Sequence, residues 1–201
     1  MDDIEGDPKA TTPDPARKFL VEAVETVVLT LLIFFAIQTF VVQPYQVQQE
    51  SMHSTFEPGD YVLVDKVTPR FAGYARGDVV VFNPVHRATC DGPVEESESE
   101  EPFIKRVIGL PGETVEVSDG GVRVGEAFID EPYTHGNATT AGPDAARWTV
   151  PDSSLFVMGD NRPDSVDSRV FGPICERDVI GRGWLRYWPI STAGVLSRPT
   201  Y

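Results

Sequence analysis

Lys105 lies within FIKRVIGLPGET, residues 103–114, where β-branched residues run up to a Leu-Pro-Gly stop. That pattern predicts a short strand ending in a turn. Side chains alternate faces along a strand, so Lys105 shares a face with Phe103 and Val107. Burial on such a face penalises the ammonium form, lowers the pKa and leaves an amine able to take a proton. The bland competitor is an edge-strand lysine that blocks aggregation. A nucleophile elsewhere in the chain decides between them. Ser51, in VQQESMHSTF, has no histidine suited to a triad. His53 is two residues away and points away on an extended chain, and His86 and His135 fall in irregular polar stretches. A serine without an imidazole is activated by a desolvated lysine, the Ser-Lys form of the same nucleophile-and-base logic.

These residues need elements to carry them. The 201-residue chain supports one substantial core, or one core with a small satellite. Its net charge is −14, from 31 acidic and 17 basic residues, which argues against nucleic acid as a partner. The excess is local: residues 1–15 hold five acids and one lysine, and residues 91–101 hold six acids and no base. Residues 1–18 read as a disordered cytoplasmic tail. Residues 19–42, FLVEAVETVVLTLLIFFAIQTFVV, are the only long apolar run. As a helix they reach about 36 Å, enough for a hydrocarbon core of roughly 30 Å. A core helix would show a polar face, and the sequence after the run, QPYQ, is a poor cleavage site for a removable leader. The run therefore reads as a retained transmembrane helix. Arg17 and Lys18 precede it and no Lys or Arg follows until Lys66, so the N-terminus is assigned to the cytoplasm and residues 43–201 to the outside. Disulfides persist in that compartment. Cys90 and Cys175 are the only cysteines, and whether they pair stays open because spacing does not fix their distance. No close ligand pair supports a zinc site built on them and His86.

Beyond the anchor, YVLVDKV (61–67), DVVVF (78–82) and LFVM (155–158) read as strands, as do residues 179–183 and 184–188. Residues 114–117, 121–124 and 127–129 read as a meander with glycine turns. Residues 43–50 look like a short polar link, 83–102 like a long disordered acidic loop, and 132–146 like irregular chain. The loop GDNRPDSVDSR (159–169) is too rich in special residues to be mere connection.

Taken in order, VQQESMHSTF, GDYVLVDKV, RGDVVVFNP, FIKRVIGLPGETVEV and MGDNRPDSVDSRVFGPI resemble the successive sequence boxes of bacterial-type signal peptidase I. These are membrane-anchored serine endopeptidases that remove signal peptides from exported preproteins. The resemblance runs from the anchor to about Trp188. It implies that Ser51 is the nucleophile and Lys105 the general base. Ser165 then matches the serine that hydrogen-bonds and orients the lysine amine, and Asp167 and Arg169 match a charged pair supporting that loop. Arg106 matches a basic residue after the catalytic lysine, and Met52 matches a residue lining the substrate cleft. Ser54 and Phe56 depart from the family's usual proline and leucine. Gln49 stands where some members place a serine that completes the oxyanion hole, so the Ser51 backbone N–H would carry most of that role, with the Gln49 side-chain amide the open candidate for a second donor.

The expected fold is mainly β: a single N-terminal transmembrane helix, then a signal-peptidase-like antiparallel β catalytic domain with a small β subdomain inserted at about 115–154. The resemblance implies cleavage after small residues, no metal or cofactor, and preprotein signal peptides, membrane lipid and the nearby secretion translocon as partners. It also puts the site near the outer membrane surface. An extended substrate strand would pair with a sheet edge. Self-cleaving repressors of the DNA-damage response share a Ser-Lys fold, but they need a DNA-binding domain and have no anchor. An inactive anchored β-domain that binds export partners is the rival from a different class, and the intact set of Ser51, Lys105 and Ser165 argues against it.

Overall fold

The computed structural model describes residues 15–86, 89–94, 96–97, 99, 101–118, 121–136, 139–140 and 147–201. The chain divides into an N-terminal helical unit and a body that begins at Phe40. The helical unit is α1, Pro15–Phe40, 26 residues long and apolar enough to cross a membrane. It starts before the apolar run does: Arg17 and Lys18, expected in the tail, are helical, because Pro15 at the first position loses no hydrogen bond there. The rest of the expected tail lies outside the described residues.

Among the described residues the body is built from fourteen strands and little helix. The first three are β1 (Val42–Gln46), β2 (Tyr61–Asp65) and β3 (Val79–Phe82). β4 (Val85–His86) and β5 (Glu96–Ser97) pair with each other, followed by β6 (Phe103–Gly109). β7 (Thr114–Ser118), β8 (Gly121–Val124), β9 (Ala127–Phe128) and β10 (Arg147–Thr149) come next. β11 (Ser154–Met158), β12 (Ile174–Cys175), β13 (Val179–Trp188) and β14 (Gly194–Val195) complete them. The main sheet runs β1-β2-β13-β3-β6-β11-β12, with β14 on β13, and every pairing is antiparallel. β7 to β10 form a separate four-stranded sheet in the order β10-β7-β8-β9, over residues 114–149.

Burial follows from the residue patterns. β2 alternates, with Val62 and Val64 inward, whereas VVVF of β3 is buried on both faces. One face carries Val47, Met52, Phe56, Val62, Val64, Val79, Val81 and Ile104. The other carries Val80, Phe82, Val107, Leu155 and Val157. The small sheet packs Val115, Val117 and Val122 against Ile108, Phe156 and Met158.

Several expectations need correction. The polar link contains β1, an edge strand in which Pro44 is tolerated because one side of the strand has no ladder to serve. The two expected strands at 179–188 are one, its register shifting at Gly183/Leu185 and Arg186/Trp188. Gly181 lets this strand pass close to β2: a β-carbon there would sit 2.5 Å from the Asp65 carbonyl oxygen. The acidic stretch 83–102, expected to be disordered, has a short β4–β5 ladder and a disulfide, Cys90–Cys175, with Cα atoms 5.4 Å apart. The disulfide removes the thiolates that a zinc site would have needed. Within 132–146, Pro132–Thr134 forms a 3-10 turn, while residues 137–138 and 141–146 lie outside the described residues. Two short helices also stand in the body, α2 (Thr68–Ala72) and α3 (Ser168–Phe171).

Candidate active site

β6 is covered by β3 along residues 103–106, but β11 pairs with it only from Gly109 back to Arg106. Beyond Met158 the chain leaves the sheet at Gly159, so the start of β6 is open on that side. A 3-10 turn at Glu50–Met52 comes to this opening and brings Ser51 with it. Register places Val80 opposite Lys105 and Phe82 opposite Phe103, which confirms the apolar face expected for the lysine.

Lys105 is 1 % exposed. Its Nζ donates to Ser51 Oγ at 2.7 Å and to the Ile104 carbonyl at 3.2 Å, and lies 5.1 Å from the Phe103 ring centroid. Burial pulls the amine down from 10.5 to about 8, the Asp167 carboxylate pulls the other way and the Arg169 guanidinium adds to the fall. A minor neutral fraction, about a tenth at pH 7, therefore exists already in contact with the serine hydroxyl, and it grows as pH rises toward 8. Ser51 is itself buried, as is Met52, which packs among the apolar residues beneath the turn.

Ser165 departs from expectation. Its hydroxyl is buried and has no hydrogen-bond partner, so the expected bond to Lys105 is not formed. It lies over Gly159, beside the Ser51 carbonyl: a β-carbon at residue 159 would overlap the Ser165 hydroxyl and sit 2.5 Å from the Ser51 oxygen. The close approach of two chain segments claims this volume, and only glycine leaves it free.

The Asp167–Arg169 pair is no surface ornament. Asp167 is fully buried and takes Arg169 Nε at 2.8 Å and Nη2 at 2.8 Å. Its Oδ2 accepts the Gly159 N–H at 3.0 Å and its Oδ1 accepts the Arg169 N–H at 3.2 Å, capping α3. Arg169 reaches back to the carbonyls of Arg162 and Ser165. Arg106, on the opposite face of β6 from Lys105, makes a two-pronged pair with Asp160, at 2.8 and 2.6 Å. It also bonds the Gly77 carbonyl and lies over the Tyr133 ring.

Sequence reasoning missed several members of this site. Asp160 also accepts the Thr55 hydroxyl. Arg162, 1 % exposed, pairs with Glu131 and bonds the Gly159 carbonyl and Thr139. Asn161 holds the backbone on both sides of Ser51. All follow Gly159 directly in GDNR, and their density in one short loop was the available signal. Gln49 precedes the 3-10 turn without a side-chain capping bond. His53 turns to Glu57 at 3.1 Å. Among the described residues no cluster of His, Cys, Asp and Glu forms a metal site.

Residues 20–188 match the family "Signal peptidase, peptidase S26". The chain is 36 % identical over 195 residues to signal peptidase I of Leptolyngbya laminosa, covering 96 % of this chain and 88 % of that one. It is 33 % identical over 186 residues to the probable signal peptidase I-2 of a Synechocystis species, covering 91 % and 80 %. Signal peptidase IB of Staphylococcus aureus is 30 % identical over 190 residues, covering 87 % and 93 %. A solved structure, a signal peptidase I from Enterococcus faecalis, aligns with 29 % identity and a TM-score of 0.40, covering 54 % of this chain and 95 % of that one.

Proposed function

The chain belongs to the signal peptidase family, peptidase S26, and from that premise we propose that Ser51 is the nucleophile and Lys105 the general base of its signal-peptide-cleaving reaction. It is a serine peptidase, and its substrates are the signal peptides of exported preproteins. The observation that carries the residue assignment is the 2.7 Å contact between Ser51 Oγ and a lysine amine that is 1 % exposed.

Neutral Lys105 Nζ takes the Ser51 hydroxyl proton as Oγ attacks the scissile carbonyl. The resulting ammonium gives that proton to the leaving amine, and the new N-terminus departs. The neutral amine then takes a proton from water, whose oxygen attacks the acyl ester. As the ester bond to Oγ breaks, the ammonium returns that proton to Oγ, which releases the signal peptide and restores both the Ser51 hydroxyl and the neutral amine. The Ser51 N–H is the oxyanion donor. The Ser165 hydroxyl has no competing partner, so rotation toward the amine breaks no hydrogen bond, and we assign it the orienting role. Asp167 and Arg169 hold the Ser165 loop, and Arg106 with Asp160 holds its beginning. Met52 lines the cleft.

We also assign α1 as a single membrane anchor surrounded by lipid. Arg17 and Lys18 at its start orient it with the N-terminus cytoplasmic and the body outside. An anchored enzyme there meets preproteins still held by their own hydrophobic segments, beside the translocon that exports them. An extended substrate would pair with a free strand edge.

Detergent-solubilised protein incubated with a preprotein tests the assignment. Wild type is expected to release the signal peptide, and Ser51→Ala and Lys105→Ala to release none. Unchanged processing by either variant would sink the dyad, and no processing by wild type would favour a binding module.

A further inference from the structure

Ser51 is the second residue of its 3-10 turn, and the first N–H groups of such a turn have no acceptor within it. That leaves the Ser51 N–H free to meet a developing oxyanion, provided the Glu50–Ser51 peptide plane is held at the right angle. The carbonyl of that same peptide, Glu50 O, accepts the Asn161 side-chain amide at 3.1 Å and the His53 N–H at 2.9 Å. The next carbonyl, Ser51 O, accepts the Asn161 backbone N–H at 3.0 Å. One residue, 111 positions from Glu50 in sequence, thus grips the peptide on each side of the nucleophile.

From this geometry we propose that Asn161 is a positioning residue that aims the oxyanion-binding peptide, an inference that rests on Ser51 being the nucleophile. Two effects act together. The side-chain bond fixes the rotation of the Glu50–Ser51 plane. It also polarises that amide, because a hydrogen bond to a peptide oxygen strengthens donation from the nitrogen of the same unit. Asn161 is well placed to do this without yielding. It is 8 % exposed and stands between two anchored neighbours, Asp160 paired to Arg106 and Arg162 paired to Glu131. Asn161 Nδ2 lies 3.5 Å from Asp164 Oδ2, a second and longer contact that keeps the amide nitrogen turned to this side. Aspartate has the same shape and cannot donate.

The test uses the full chain in detergent with one preprotein, comparing wild type, Asn161→Ala, Asn161→Asp and Ser51→Ala. Removing an oxyanion donor outright costs about a hundredfold to a thousandfold in kcat. Mis-aiming a donor that remains present is expected to cost roughly tenfold to a hundredfold, with KM within about twofold of wild type. The pH midpoint of kcat/KM should stay at the wild-type value, because Lys105 remains buried. A merely structural loss would admit water to the lysine and move that midpoint upward. If Asn161→Ala fails to fold, Asn161→Asp decides by the same readouts. Wild-type kcat in a folded Asn161 variant, or a lower kcat with a raised midpoint, would overturn the inference while leaving Ser51 in place. Processing by Ser51→Ala would overturn the nucleophile assignment and this inference with it.

Discussion

Single atoms decide several properties of this site. A protonated Lys105 is a buried charge that the fold tolerates at a cost. The shift from 10.5 to about 8 corresponds to about 3 kcal/mol. The sign follows from which state binds more protons. Between about pH 8 and 10.5 the unfolded chain holds the proton and the folded one has released it, so stability rises with pH across that window, and below it the penalty is fully present. Lys105→Met removes the charge but keeps the bulk, so it should abolish processing while raising the melting temperature at pH 7 by at least a few degrees. A lower melting temperature would show that the bond to Ser51 outweighs desolvation. Gly159→Ala makes the opposite point: its β-carbon has nowhere to go between Ser165 and Ser51. It should lose about 1–3 kcal/mol of stability and most of the activity, measured by thermal denaturation and preprotein processing. Wild-type values for both would mean that the two segments can separate without consequence.

Elements explain why some of this was legible and some was not. β2, β3, β6, β7, β8 and β11 announce themselves because apolar or β-branched runs end at Gly or Pro turns. β1 does not, since VQPYQ is polar and contains a proline. It is held by backbone pairing with β2, a partner sequence alone does not supply. The glycines of β13 look like breaks and act as close-approach points. In the site, Ser51 and Lys105 were readable from box order and strand alternation. Asp160, Asn161 and Arg162 were not, because charged and amide residues in a polar loop look solvated until their distant partners appear. Arg106 and Asp160 are joined across 54 positions with side chains 4 % and 0 % exposed. Breaking such a buried pair from one side leaves a bare charge, so Asp160→Ala should destabilise the body by about 3–5 kcal/mol. Denaturant unfolding of that variant beside the Arg106→Met/Asp160→Leu double variant measures it. The double variant should recover part of the loss, and equal losses would mean that the strand contacts, not the pair, hold the loop.

Across the whole molecule, the net charge of −14 misleads if it is read as a property of the fold. Much of it lies in residues 1–15 and 91–101, while several acids of the body, among them Asp60, Asp65, Asp78, Glu131, Asp160 and Asp167, are paired with arginines. The cysteines are the other feature that only the folded chain resolves, since a separation of 85 residues says nothing about distance. Their bond ties the segment after β4 to β12, and closing a loop of that length is worth about 4.6 kcal/mol in the chain-entropy account. Thermal melts with and without reductant should differ by roughly ten degrees, and coincident melts would show that the bond constrains little. Activity should persist at low temperature in the Cys90→Ser/Cys175→Ser variant, because neither cysteine contacts Ser51 or Lys105.

Lys105 acts as a base only when it is neutral, and the pH dependence of kcat/KM for preprotein cleavage tests that most directly. Deprotonation creates the active form, so the rate should rise in proportion to hydroxide at low pH, bend at about 8 and level off above it. A profile flat between pH 6 and 9, or one that bends only near the 10.5 of an ordinary lysine, would contradict the mechanism.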